Sequence, residues 1–135
     1  MVIDSSALVA IFLGESDRQL LLDLIMAAET RLISAASVVE AGIVLETRRG
    51  EEAGREFDLF LIRVNIEIVP VDAEQSDLAR SAWRHYGKGR HPAGLNFGDC
   101  FAYALAKSHG QTLLAKGDDF AQTDIEGCRL PERSS

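Results

Sequence analysis

The sequence predicts an α/β protein: a three-layer α/β/α sandwich around a mainly parallel central sheet of four or five strands. Three observations lead there. Short β-rich apolar runs alternate with longer stretches of helical periodicity along the chain. Helix-length connections between successive strands favour parallel neighbours. With 135 residues, 47% of them apolar, the chain can bury one core without disulfide staples, so a single domain over 1–135 is expected.

Met1 to Ile3 reads as a short buried strand, with Asp4, Ser5 and Ser6 as the N-cap of an apolar helix over 7–13 that Gly14 breaks. Residues 15–17 open a second helix from Arg18 to about Ala28, with Leu20, Leu21 and Leu24 on one side. A short strand over 30–34 follows. Ser37 then caps a helix that runs to Gly50. The next helix, over 51–64, carries Phe57, Phe60 and Leu61 at helical spacing. Residues 66–71 form a β-rich run, and the DAEQ tetrad from Asp72 to Gln75 resembles a capping box. That helix is striped by Leu78, Ala79, Ala82, Trp83 and Tyr86. After the one Gly/Pro-rich loop, 87–94, a helix over 97–109 sets Phe97, Cys100, Phe101, Ala104 and Leu105 on one face and stops at Gly110. Residues 112–115 make a strand, 116–119 a turn and 128–130 a last edge strand.

Composition narrows the function. The longest uncharged apolar run, 5–14, falls short of the ~18–20 residues a membrane span needs. It follows Asp4 and lacks a basic leader, so neither a membrane anchor nor a signal peptide is expected, and the protein is expected to be cytoplasmic. Cys100 and Cys128 have no metal-ligand spacing and read as reduced core thiols. Fourteen basic against twenty-one acidic residues give a net charge of −7. That balance excludes a passive nucleic-acid coat but permits a metal-dependent nuclease.

In such sheets, sites form outside the carboxyl ends of the strands. Asp4 ends the first strand, Glu40 lies one turn into the helix after the second, and Asp118 and Asp119 follow the 112–115 strand. Asp99 opens the last long helix. Each has a plain structural reading: Asp4 as an N-cap, Asp99 as an acid in a first helical turn, and Asp118-Asp119 as turn chemistry. Glu40 is harder to explain that way. Val39, Ile43 and Val44 surround it on the helix, so its carboxylate is expected to emerge from an apolar flank. Clustered carboxylates without a nearby cationic side chain repel one another, and a divalent cation is the natural remedy. All-oxygen ligands suit Mg²⁺ or Mn²⁺, and such a cage serves phosphate-ester cleavage. No phosphate-loop, dinucleotide or serine-hydrolase motif is present.

The residues VIDSSAL at the start, SVVEA in mid-chain, LNFGDCFAYALA and the closing LLAKGDDFAQTDI resemble PIN-domain ribonucleases, and more narrowly the VapC toxins of bacterial toxin–antitoxin pairs. The resemblance spans nearly the whole chain in the right order. It implies a PIN-like α/β/α fold and Mg²⁺- or Mn²⁺-dependent endonucleolytic cleavage of RNA. By motif, Asp4 and Asp99 would be the principal metal ligands and Glu40 the third acid. The family keeps an aspartate directly before the phenylalanine, which favours Asp119 over Asp118 as the fourth. Ser6 would orient Asp4, Asn96 would hold the loop before Asp99, and Asp124 would sit near the rim. The resemblance also implies a homodimer and a VapB-like antitoxin, whose arginine would pair with the carboxylate cluster.

Between Asp77 and Asp99 no acid occurs, while Arg80, Arg84, His85, Lys88, Arg90 and His91 do. Arg84, Lys88 and Arg90 are therefore candidate RNA contacts, although no aromatic-interleaved basic motif is visible along the sequence. Two rivals are weighed. A phosphotransfer domain lacks support, because Ser6 stands where a dehalogenase-type motif wants an acid and residues 69–71 offer no phosphoacceptor aspartate. A non-catalytic acidic pocket for a basic partner peptide is the second, and indifference to Mg²⁺ would mark it.

Overall fold

A computed structural model describes residues 1–128. Its elements run β1 (Val2–Ile3), α1 (Ser5–Phe12), α2 (Arg18–Ala27), β2 (Leu32–Ser34), α3 (Ala35–Arg49), α4 (Glu51–Arg63), β3 (Glu67–Val69), α5 (Ala73–Tyr86), α6 (Phe97–His109) and β4 (Leu113–Leu114). The four strands form one parallel sheet in the order β3-β2-β1-β4. The chain therefore steps from β1 out to β3 and then returns across β1 to add β4. Right-handed crossovers make the two directions of travel use opposite faces. α1 to α4 cover one face, and α5 and α6 the other.

Side-chain alternation divides the core accordingly. Ile3, Ile33 and Leu114 point toward α1–α4, where they pack with Leu8, Leu21, Ile25, Leu45 and Phe57. Val2, Leu32 and Leu113 point toward α5 and α6, among Ala79, Ala82, Leu95, Cys100 and Leu105. Because β1, β2 and β4 are covered on both faces, strands of two or three residues suffice for the sheet. α6 is buried nearly all round from Ala102 to Ala106, and Gly110, at φ 59°, ends it in the left-handed conformation.

Several local expectations shift. α1 begins at Ser5 with Asp4 alone as its cap. α3 begins at Ala35, because Ser34 at the end of β2 caps it by accepting from Ala36 N, and Ser37 lies buried inside the helix. The DAEQ box is half formed: Asp72 accepts from Gln75 N, but the Gln75 amide donates to Ser108 Oγ on α6 (2.7 Å). β3 is shorter than 66–71 and lies at the sheet edge, with Ile68 exposed. At the other edge Gly127 bridges Leu113, and Cys128 N donates to Leu113 O (3.0 Å). The rest of the expected 128–130 strand lies outside the described residues. Cys100 and Cys128 are both unpaired thiols, Cys100 buried and Cys128 partly so. Among the described residues, no helix is long and apolar enough to cross a membrane.

Candidate active site

Reversal of strand order between β1 and β4 opens a crevice at the carboxyl edge of the sheet. Asp4 sits there, where β1 passes into α1, and is 2% exposed. Its two oxygens have different duties. Oδ2 accepts from Ser6 N (3.1 Å) and Ser6 Oγ (2.6 Å), which is the capping a helix start requires. Oδ1 is buried with no hydrogen-bond partner among the described residues. Burial pushes the Asp4 carboxyl above the usual carboxylate range, Glu40 adds to that push, and the Ser6 hydrogen bonds oppose it.

Ser6 Oγ also accepts from Lys116 N (2.9 Å), which ties the first turn of α1 to the segment after β4. Ser5, not singled out from the sequence, donates its hydroxyl to Glu40 Oε1. The two serines are adjacent in sequence but about 100° apart around the helix, so one holds its own cap while the other faces α3. A pair of hydroxyls after a strand-end aspartate was the available signal. The flank of Glu40 differs from expectation: Val39 and Ile43 are each 60% exposed, so Glu40 emerges beside apolar surface that faces solvent.

Asp99 is 8% exposed in the first turn of α6. Asn96 and Asp99 form a reciprocal capping box: Asn96 Oδ1 accepts from Asp99 N (2.9 Å), and Asp99 Oδ2 accepts from Asn96 N (3.0 Å). Burial pushes the Asp99 carboxyl up to about 7, against the Asn96 hydrogen bond and with help from the charges of Asp4, Asp119 and Glu40. Gly98 permits the close approach of α6, since a methyl group there would overlap the Glu40 carboxylate. The structure thus brings Asp4, Glu40, Asp99 and Asp119 to one edge as mutually repelling charges. Asp119 rather than Asp118 is the turn residue whose charge is felt at Asp99.

No cation from the protein offsets that repulsion among the described residues. Lys116, next along from β4, reaches away to Glu15 (3.2 Å) and Asp17 (3.4 Å). The orphaned Asp4 Oδ1 and the all-oxygen donor set fit a hard divalent cation. The carboxylates adjoin without closing up: among the described residues no three acidic, histidine or cysteine side chains stand at ligand spacing. Asp124 belongs elsewhere, accepting from Tyr103 Oη (2.5 Å) and Lys107 Nζ (2.6 Å).

The basic residues 80–91 lie on α5 and the following loop, with Arg80, Arg84, Lys88 and Arg90 exposed. Arg90 lies over the Trp83 ring, 4.6 Å from its centroid, and its Nε donates to Arg84 O (3.3 Å). Two expected core stripes open here: Trp83 is 47% exposed and Phe97 82%. Aromatic and basic side chains, separate along the sequence, therefore meet between α5 and the start of α6.

Residues 1–126 match the PIN domain family. A "Ribonuclease VapC" of Mycolicibacterium smegmatis is 56% identical over 125 residues, covering 93% of this chain and 97% of that protein. "Ribonuclease VapC30" of Mycobacterium tuberculosis is 53% identical over 131 residues, covering 97% of this chain and all of its own length. In fold, the chain is similar to Mycobacterium tuberculosis VapC20, described as a sarcin-ricin loop cleaving toxin, at a TM-score of 0.78 and 17% identity over 95% of this chain and 98% of that one. A similar likeness, TM-score 0.72 at 17% identity, joins it to VapBC2 of Rickettsia felis over 95% of this chain and 96% of that one.

Proposed function

The chain belongs to the PIN domain family, among the VapC ribonucleases, and from that premise we propose that it is a divalent-metal-dependent endoribonuclease, the toxin of a toxin–antitoxin pair. The observation that carries the metal-dependent reading is the buried Oδ1 of Asp4, beside three further carboxylates and without a hydrogen-bond donor or cation among the described residues.

Asp4 and Asp99 would be the principal ligands of Mg²⁺ or Mn²⁺, with Glu40 and Asp119 completing the set. When bound, the cation supplies positive charge to the scissile phosphate and lowers the pKa of the attacking water. The protein's part is placement. Ser6 fixes one Asp4 oxygen and leaves the other free, Ser5 holds Glu40, and Asn96 anchors Asp99. These supports set the carboxylates against one another before any ligand arrives, so little reorganisation remains when charge is neutralised. Exposed Arg84, Lys88 and Arg90 give RNA a local positive approach despite the net charge of −7.

A VapB-like antitoxin and a second copy of the chain are the partners of this reading. An arginine from the antitoxin would satisfy the same carboxylates. Exposed Val39, Ile43, Leu59 and Ile62 on α3 and α4 support a protein partner there.

Cleavage of total small RNA by the antitoxin-free protein, compared in Mg²⁺, Mn²⁺ and EDTA with Asp4→Asn as control, tests the proposal. Discrete fragments that require metal and vanish in the variant are expected. Absence of both cleavage and any Mg²⁺-dependent gain in thermal stability would leave only an acidic pocket for a basic peptide.

A further inference from the structure

A cleft of about 560 Å³ lies between α5 and the start of α6. Ala79, Leu95 and Cys100 form part of its apolar lining, Trp83 and Phe97 are the exposed aromatic residues on it, and Arg80 and Lys88 supply its charge. No acid lines it. Asn96, the residue that caps α6 and accepts from Asp99 N, is also part of the wall, so the cleft and the carboxylate crevice share one helix turn.

Trp83 is held in place. Arg90 covers its ring and is itself bonded to the Arg84 carbonyl. Gly87 packs so closely that a methyl group there would overlap both the Trp83 carbonyl and the indole. On the opposite side Phe97 packs edge-on against Phe101 at 5.0 Å between centroids, which leaves most of the Phe97 ring in solvent. A surface aromatic this exposed is costly to hydrate and has no partner among the described residues that covers it.

Positive charge around an apolar, aromatic-lined cleft is complementary to an unpaired nucleotide, whose base stacks while its phosphates meet the cations. We infer that this cleft is a stacking subsite for an unpaired nucleobase of the RNA, with Phe97 as its platform and Trp83 as its facing wall. Arg80 and Lys88 then meet the flanking phosphates. Arg90 acts as a positioning residue, since its guanidinium is committed to Trp83. The subsite rests on the ribonuclease reading for its substrate. It goes further in requiring single-stranded RNA beside the scissile bond, because a paired base keeps its faces stacked within its own helix.

Trp83 is the single tryptophan of the chain, so its fluorescence reports this cleft alone. The test titrates wild-type protein in EDTA with tetraadenylate, a blunt RNA duplex and tripolyphosphate. Saturable quenching by tetraadenylate alone is expected. Phe97→Ala, at an exposed position that leaves the fold intact, should weaken that binding about tenfold, and Phe97→Tyr should restore it. In cleavage of an RNA with an unpaired target, Phe97→Ala should raise KM with a smaller effect on kcat. Equal quenching by duplex or tripolyphosphate, or unchanged tetraadenylate affinity in Phe97→Ala, would overturn the subsite. Failure of the ribonuclease reading shows separately, as no cleavage in Mg²⁺ or Mn²⁺ whatever the fluorescence does.

Discussion

Two carboxylate sites flank α6, and they behave in opposite ways. Asp124 docks on the helix body, where Lys107 Nζ and the Tyr103 hydroxyl hold its carboxyl below the usual range. Asp99, at the helix start, is pushed up to about 7 by burial and by the charges of Asp4, Asp119 and Glu40. The first is a finished structural triad of Asp124, Tyr103 and Lys107. The second is a set of like charges that the fold supports but does not neutralise. The difference lies in the partners each carboxylate is given, and it marks where an external cation would be stabilising.

The contrast can be broken or sharpened by substitution. Asp4→Asn should have the largest effect, a loss of cleavage of about a thousandfold read in single-turnover RNA assays, since several kcal/mol of charge stabilisation depend on its free oxygen. Gly98→Ala should come next. The added methyl displaces the Glu40 carboxylate, one member of the proposed set, while leaving every acid in the sequence, and Mg²⁺ affinity should fall about 10- to 100-fold by isothermal titration.

Asp99→Asn should show itself in the pH dependence of stability. With a folded pKa raised from 3.8 to about 7, the cation-free native state keeps a proton that the unfolded chain has lost. Stability should therefore fall as pH rises from about 4 to about 7 and level off above. Asp99→Asn should flatten that slope in urea unfolding, and Mg²⁺ should oppose it in the wild type, because ligation needs the ionised carboxyl. At the other site, Tyr103→Phe should cost about 1 kcal/mol by urea unfolding and leave cleavage unchanged. A cleavage defect there as large as that of Gly98→Ala would erase the distinction between the two sites.

Much of this is legible in the sequence. Alternation of strand and helix, the strand-end position of Asp4 and the acid-poor stretch before Asp99 follow from local pattern. The start of α3 did not, because Ser34 and Ser37 are equally good caps in isolation and only the end of β2 decides between them. Likewise, the DAEQ tetrad gives up half its box because Gln75 finds Ser108, 33 residues away.

By itself the sequence determined the elements, their parallel arrangement and the family, since hydrophobic period and contiguous motifs are properties of neighbours in the chain. Tertiary structure decided which oxygens are spoken for. It assigned Ser5 to Glu40 and Asp124 to Tyr103 and Lys107, left Asp4 Oδ1 without a donor among the described residues, and set Trp83 and Phe97 on one cleft. Those outcomes depend on which helix faces meet across the sheet, and burial and Coulomb interaction act through that distance in space rather than along the chain.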